Sequence, residues 1–131
     1  MKNQLTVMLA CATLLAGCAT EYQAQNGEGG YSEATLGLGV WRVKFTATSY
    51  TLQQQVQDFS LLRSAELTLQ QGYSHFALTT ADGAASIQPG PDVVVRMFKQ
   101  RPQEGGSQYD ARAVCSQLGK RYQVTCRERA L

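Results

Sequence analysis

"YTLQQQVQDFSLLRSAELTLQQGY", residues 50–73, shifts the apolar period of the chain from two to three or four. Leu52, Val56, Phe59, Leu62, Ala65 and Leu69 fall on one stripe, with Arg63 beside it. Thr51 followed three residues later by Gln54 matches a capping box, and Gly72 stands where a helix C-terminus expects it. The spacing predicts a helix from about 52 to 71. What flanks this helix then decides the fold.

On its N-terminal side "VWRVKF" (40–45) alternates: Trp41, Val43 and Phe45 point one way, Arg42 and Lys44 the other. That is the pattern of a half-buried strand. On its C-terminal side "SHFALT" (74–79) puts Phe76 and Leu78 on one face. "TADGAASIQPGPD" (80–92) then carries the Gly, Pro and Asp of a loop. "DVVVRMF" (92–98) is apolar on both faces, as a central strand would be. After the Gly-containing "RPQEGGSQ", the stretch "YDARAVCSQLGK" (109–120) groups Ala111, Val114, Cys115 and Leu118 on one helical face. "YQVTC" (122–126) alternates again, with Tyr122, Val124 and Cys126 together. The order strand, helix, strand, strand, helix, strand predicts an α+β two-layer sandwich of the ferredoxin-like β-α-β-β-α-β kind. Its sheet would have four antiparallel strands, with two helices on one face.

The N-terminus carries a different message. "MKNQLTVMLACATLLAGCAT" has one charge at Lys2, an apolar run from Leu5, and the small residues Ala16 and Gly17 before Cys18. This is the layout of a secretory signal peptide. At about 13 residues to Gly17 the run is shorter than the roughly 20 that a membrane-crossing helix needs. Leu15, Ala16, Gly17 and Cys18 resemble a bacterial lipobox. The resemblance implies that residues 1–17 are removed, that Cys18 takes a diacylglycerol, and that its new amino group is acylated. More than one buried acyl chain holds a protein firmly on a bilayer. Ala19, where an Asp would signal otherwise, resembles the address for the outer membrane, with the domain facing the periplasm. The other reading of Cys18 is a thiol at the end of an apolar helix.

Removal of residues 1–17 leaves 114 of the 131 residues, enough for one domain. "ATEYQAQNGEGGYSEATLG" (19–37) is polar and Gly-containing, so 18–38 reads as a lipidated tether and 39–131 as the domain. Sixteen flexible residues of such a tether span roughly 20–24 Å on average. Within it, "GGYSE" (29–33) reads either as a ligand loop or, more simply, as turn chemistry before a strand.

With Cys11 removed and Cys18 lipidated, Cys115 and Cys126 remain as a pair, either a disulfide in an oxidising compartment or two small buried side chains. One histidine and two cysteines do not complete a zinc site, and no metal or cofactor is expected. "GLGVW" (37–41) matches no complete dinucleotide or phosphate loop and precedes a strand. The formal charge is +2 with scattered cations, which argues against a nucleic-acid partner.

Catalysis finds little support. His75 is the one histidine, and its neighbour Ser74 would point to the opposite face of a strand. Asp58 and Glu66 lie eight apart on the predicted helix, about 12 Å along its axis, too far for paired glycosidase acids. The reading is of a non-enzyme.

"GGYSE", "WRVKF", "LLRSAELTLQQGYSHF" and "YDARAV" together resemble an uncharacterised family of small bacterial envelope lipoproteins. That family pairs a lipobox with a Gly-Gly-Tyr-Ser stretch, a strand, and an Arg-x-Ala-Glu-Leu helix ending in Gly-Tyr. The resemblance covers most of residues 15–80. It implies location and fold and no chemistry. Within it Arg63 and Glu66, three apart, read either as a helix-surface pair of a few tenths of a kcal/mol or as a charged site facing a partner. The expected function is a lipid-anchored accessory module that contacts an envelope protein. The alternative is a sensor of a peptidoglycan fragment or lipid, bound on the open sheet face beside the 80–92 loop.

Overall fold

A computed structural model describes residues 21–48, 50–102 and 107–128. Its elements are β1 (Gly30–Gly37), β2 (Val40–Thr46), α1 (Gln53–Gln70), β3 (His75–Thr79), β4 (Asp92–Phe98), β5 (Tyr109–Asp110) and α2 (Ala111–Tyr122). The protein is α+β, with one antiparallel sheet in the order β1-β2-β4-β3-β5. Strands β2 and β3 are joined through α1 and flank β4, which is the split-βαβ arrangement. The two-sided apolarity of "DVVVRMF" has its cause here. Val93 and Val95 face the main core at 1% and 0% exposure. Val94 and Thr79, paired across β4 and β3, are buried on the other face. There the 80–91 loop folds back through a Thr79–Ser86 bridge and the Ile87 N–H donating to the Leu78 carbonyl. Part of the sheet face expected to be open is therefore covered.

The sheet has five strands where the sequence predicts four. The extra strand at the N-terminal side is "GYSEATLG", which the sequence reading assigns to the tether. It pairs with β2 from Gly30 to Thr35 and again at Gly37, with an irregularity at Leu36. The entering chain also belongs to the fold: the Tyr31 N–H donates to the Gln23 carbonyl, and the Gln25 N–H to the Tyr31 carbonyl. Glycine is required where these backbones meet. A Cβ on Gly30, whose φ is +127°, would stand 2.4 Å from the Gln23 carbonyl oxygen.

At the other end "YQVTC" forms no strand. Helix α2 continues to Tyr122, and Gln123 closes it in the left-handed conformation. The Val124 N–H then donates to the Gly119 carbonyl. The segment lies on the helices instead of the sheet. Gly119 makes room for it, since a Cβ there would stand 2.5 Å from the Val124 oxygen. The short β5 supplies the remaining strand, beside β3.

Helix α1 lies within one residue of its expected bounds at each end. Its capping box does not form. Leu52 is the N-cap, 71% exposed, while Thr51 meets the Thr48 hydroxyl and Gln54 donates to Asp58. The stripe of Phe59, Leu62, Ala65 and Leu69 is buried, but so are Asp58, Ser60, Arg63, Ser64, Glu66 and Thr68. Although Ser60 Oγ has no partner among the described residues, a helix buried on this much of its surface has to find partners for its polar side chains. Ser64 and Thr68 do so by donating to the carbonyls of Ser60 and Ser64.

Candidate functional site

The polar groups of α1 gather into two clusters. The larger centres on Arg63. Its Nη1 donates to Glu66 Oε1 at 2.6 Å, Nε lies 3.3 Å from Glu33 Oε2, and Nη2 pairs with Glu33 Oε1. The Tyr31 ring lies under the guanidinium, 4.3 Å from carbon to centroid, a cation–π contact. Glu66 also accepts the Tyr22 hydroxyl at 2.8 Å and the Arg127 backbone N–H at 2.8 Å. One carboxylate thus ties together the entering chain, the long helix and the segment after α2.

The expectation of a helix-surface pair is corrected by this geometry. Arg63 and Glu66 do pair, but at 7% and 4% exposure they are buried. The spacing gives the pair; the terminal segments that cover it lie far away in sequence. Glu33 and Tyr31 come from "GGYSE" and Arg63 and Glu66 from "LLRSAEL", so the two stretches that carry the resemblance meet here. Tyr22, Tyr31 and Glu33 are the members that the sequence reading missed. Their signal was the one-residue alternation of Tyr31 and Glu33, together with an arginine beside an apolar stripe.

Burial works against the Arg63 charge, but Glu33, Tyr22 and Glu66 outweigh it and hold the guanidinium above its ordinary range. Burial, then the charge of Glu66 and the hydrogen bond to it, push the Tyr22 phenol far up, so it stays a neutral donor. With Arg63, Glu33 and Glu66 each engaged by a partner, the cluster clamps these segments together.

A cleft of about 610 Å³ opens over this clamp. Its walls include Trp41, Tyr31, Gln70, Gln71, Gln123 and Thr125. Trp41 is half-buried and lies on the helix-facing side of β2 with Val43 and Phe45. The opposite face, where the sequence pattern predicts a ligand, has Arg42 held in a two-point pair by Asp92.

The second cluster joins the helices. Buried Asp58 accepts from Gln54 Nε2, from Arg121 Nη1 at 3.0 Å and from the Tyr122 hydroxyl at 2.6 Å. Burial and then the Asp58 contact raise the Tyr122 phenol to about 12. Nearer the start of α2, Cys115 forms a disulfide with Cys126 at a Cα–Cα distance of 5.9 Å. The pair was expected to bridge a helix and a strand; it bridges α2 to the irregular segment that follows it.

Comparison of the chain with family models, curated proteins and solved structures returns no match. Its chemistry has to be read from its own residues. Cys18 lies outside the described residues, and no group of three metal-ligating side chains occurs among those described.

Ser74 and His75 need a correction. The two do touch, with Ser74 Oγ 2.8 Å from His75 Nδ1, and His75 Nε2 is 3.9 Å from Asp110 Oδ2. Strand alternation does not separate them because Ser74 precedes β3. The one Ser74 hydroxyl proton has three acceptors in reach: the Lys99 carbonyl at 2.7 Å, the Phe98 carbonyl at 3.4 Å and, in the tautomer whose Nδ1 carries no proton, His75 itself. Asp110 caps α2 through the Ala113 N–H. These residues tie the start of β3 to the start of α2.

Proposed function

We propose that this chain is a lipid-anchored envelope lipoprotein, carried by Cys18 on the outer membrane and facing the periplasm. Its non-catalytic domain holds a small polar envelope ligand. The anchor reading rests on the ordered signal of Lys2, the apolar run and Leu15–Cys18. The Cys115–Cys126 bridge supports it, since such bonds persist in oxidising compartments. The fold supports a variant of the ferredoxin-like sandwich, in which β1 takes the sheet edge beside β2 that the last strand would otherwise occupy.

The observation that carries the ligand reading is the cleft over Arg63, where Trp41 and Tyr31 stand among side-chain amides and a hydroxyl. Rings with amide donors and acceptors suit a hydroxyl- and amide-rich molecule such as a peptidoglycan fragment better than a lipid tail. A second reading, an accessory module docking a protein partner, is favoured by the β1–β2 hairpin, where Leu36 and Leu38 are 54% and 95% exposed.

Two measurements test this. Cys18→Ser is expected to abolish palmitate labelling and leave the precursor uncleaved; normal processing of that variant would remove the anchor. Titration with a soluble disaccharide-peptide is expected to change Trp41 emission saturably, with a midpoint below about 1 mM. An unchanged signal would remove the ligand reading and leave the hairpin as the contact surface.

A further inference from the structure

The expected tether is much shorter than the sequence suggests. Tyr22, four residues beyond Cys18, is already fixed: its hydroxyl bonds Glu66, and its ring centroid lies 5.0 Å from Tyr31 and 5.5 Å from Phe59. Four extended residues reach at most about 14 Å. Helix α1, at 18 residues, is itself about 27 Å long. A domain fastened this closely cannot hang clear of a bilayer that holds Cys18.

The topology says which end is tied. The entering chain runs beside Tyr31, and β1 begins at Gly30, opposite Thr46 where β2 ends. The link from β2 to α1 leaves from this same end, and it carries Tyr50 and Leu52, each 71% exposed. Leu36 and Leu38 lie at the opposite end of the same hairpin. Tyrosine beside an aliphatic side chain is the composition of a membrane-interface contact. The charges near this end are of both signs. Lys120 and Arg121 close α2, where Arg121 reaches Asp58 in the first half of α1. Glu28 precedes β1, and Asp82 lies in the loop between β3 and β4. Contact there depends on apolar side chains more than on charge.

We propose that the end of the domain bearing Tyr50 and Leu52 rests on the bilayer surface, with the Leu36/Leu38 hairpin directed away from it. The proposal builds on the lipid anchor at Cys18. To test it, the full chain is expressed in a bacterium that processes lipoproteins, in Leu52→Trp and Leu38→Trp forms. Each is reconstituted in phosphatidylethanolamine/phosphatidylglycerol vesicles that carry a nitroxide at the headgroup–acyl boundary. The indole introduced at position 52 is expected to shift to the blue and lose emission to the quencher, in low and high salt alike. The one at position 38 is expected to show no quenching beyond that of the unsubstituted chain. Lipid present by mass without quenching at position 52, equal quenching at both positions, or quenching at position 38 alone would overturn the docking. Absence of lipid by mass would overturn the anchor and the docking with it.

Discussion

Arg63→Ala is expected to lower the free energy of unfolding by about 3–5 kcal/mol, the cost of leaving a buried charge without its partner. In this chain the substitution strands two carboxylates. Glu33 loses its two-point contact, and Glu66 keeps only the Tyr22 hydroxyl and the Arg127 N–H. The Tyr31 ring loses its cation as well. Urea denaturation monitored by far-ultraviolet circular dichroism gives the loss. The Glu33→Gln single and double variants close a cycle whose coupling energy reports the pair itself. A loss below about 1 kcal/mol would mean that the pair acts as a solvent-exposed one. A hydrophobic replacement of similar volume, Arg63→Met, still strands both acids and is not expected to restore stability.

Removing the Cys115–Cys126 bridge, by Cys115→Ser or by reduction, is expected to cost about 2–3 kcal/mol through the freedom returned to the unfolded loop. The sequence separation of 11 makes a short loop, so the value sits toward the low end of the usual range. A local effect accompanies the global one. The bridge holds the segment from Val124 to Arg127, and that segment supplies the N–H donated to Glu66. Hydrogen exchange at the Arg127 amide is expected to speed up on reduction before the amides of α1 respond. Unchanged stability and unchanged exchange after reduction would show that the segment is held by packing alone.

Much of this architecture is legible from local pattern. Helix α1 is written in its period and in Gly72, and β4 in its two apolar faces, because both signals arise within the element. β1 escapes because "GGYSE" opens with two glycines and its alternating pair is Tyr31 and Glu33, a charged residue where an apolar one is expected. The alternation in "YQVTC" is real, since Tyr122, Val124 and Cys126 all pack against the core. Alternation records burial on one side only. An extended segment lying on helices satisfies it as fully as a strand in a sheet does. The depth of Arg63 and Glu66 is not local at all, since residues near both ends of the chain supply their cover.

Glu66 is where those two ends meet. It accepts from Tyr22 near the first described residues and from Arg127 near the last. During synthesis this carboxylate stays without one of its donors until Arg127, 61 residues farther on, has left the ribosome. Loss of Tyr22 or of Arg127 deprives the same carboxylate of a donor. The entering chain and the segment after α2 therefore share one acceptor, and loss of either donor is expected to weaken the hold on the other.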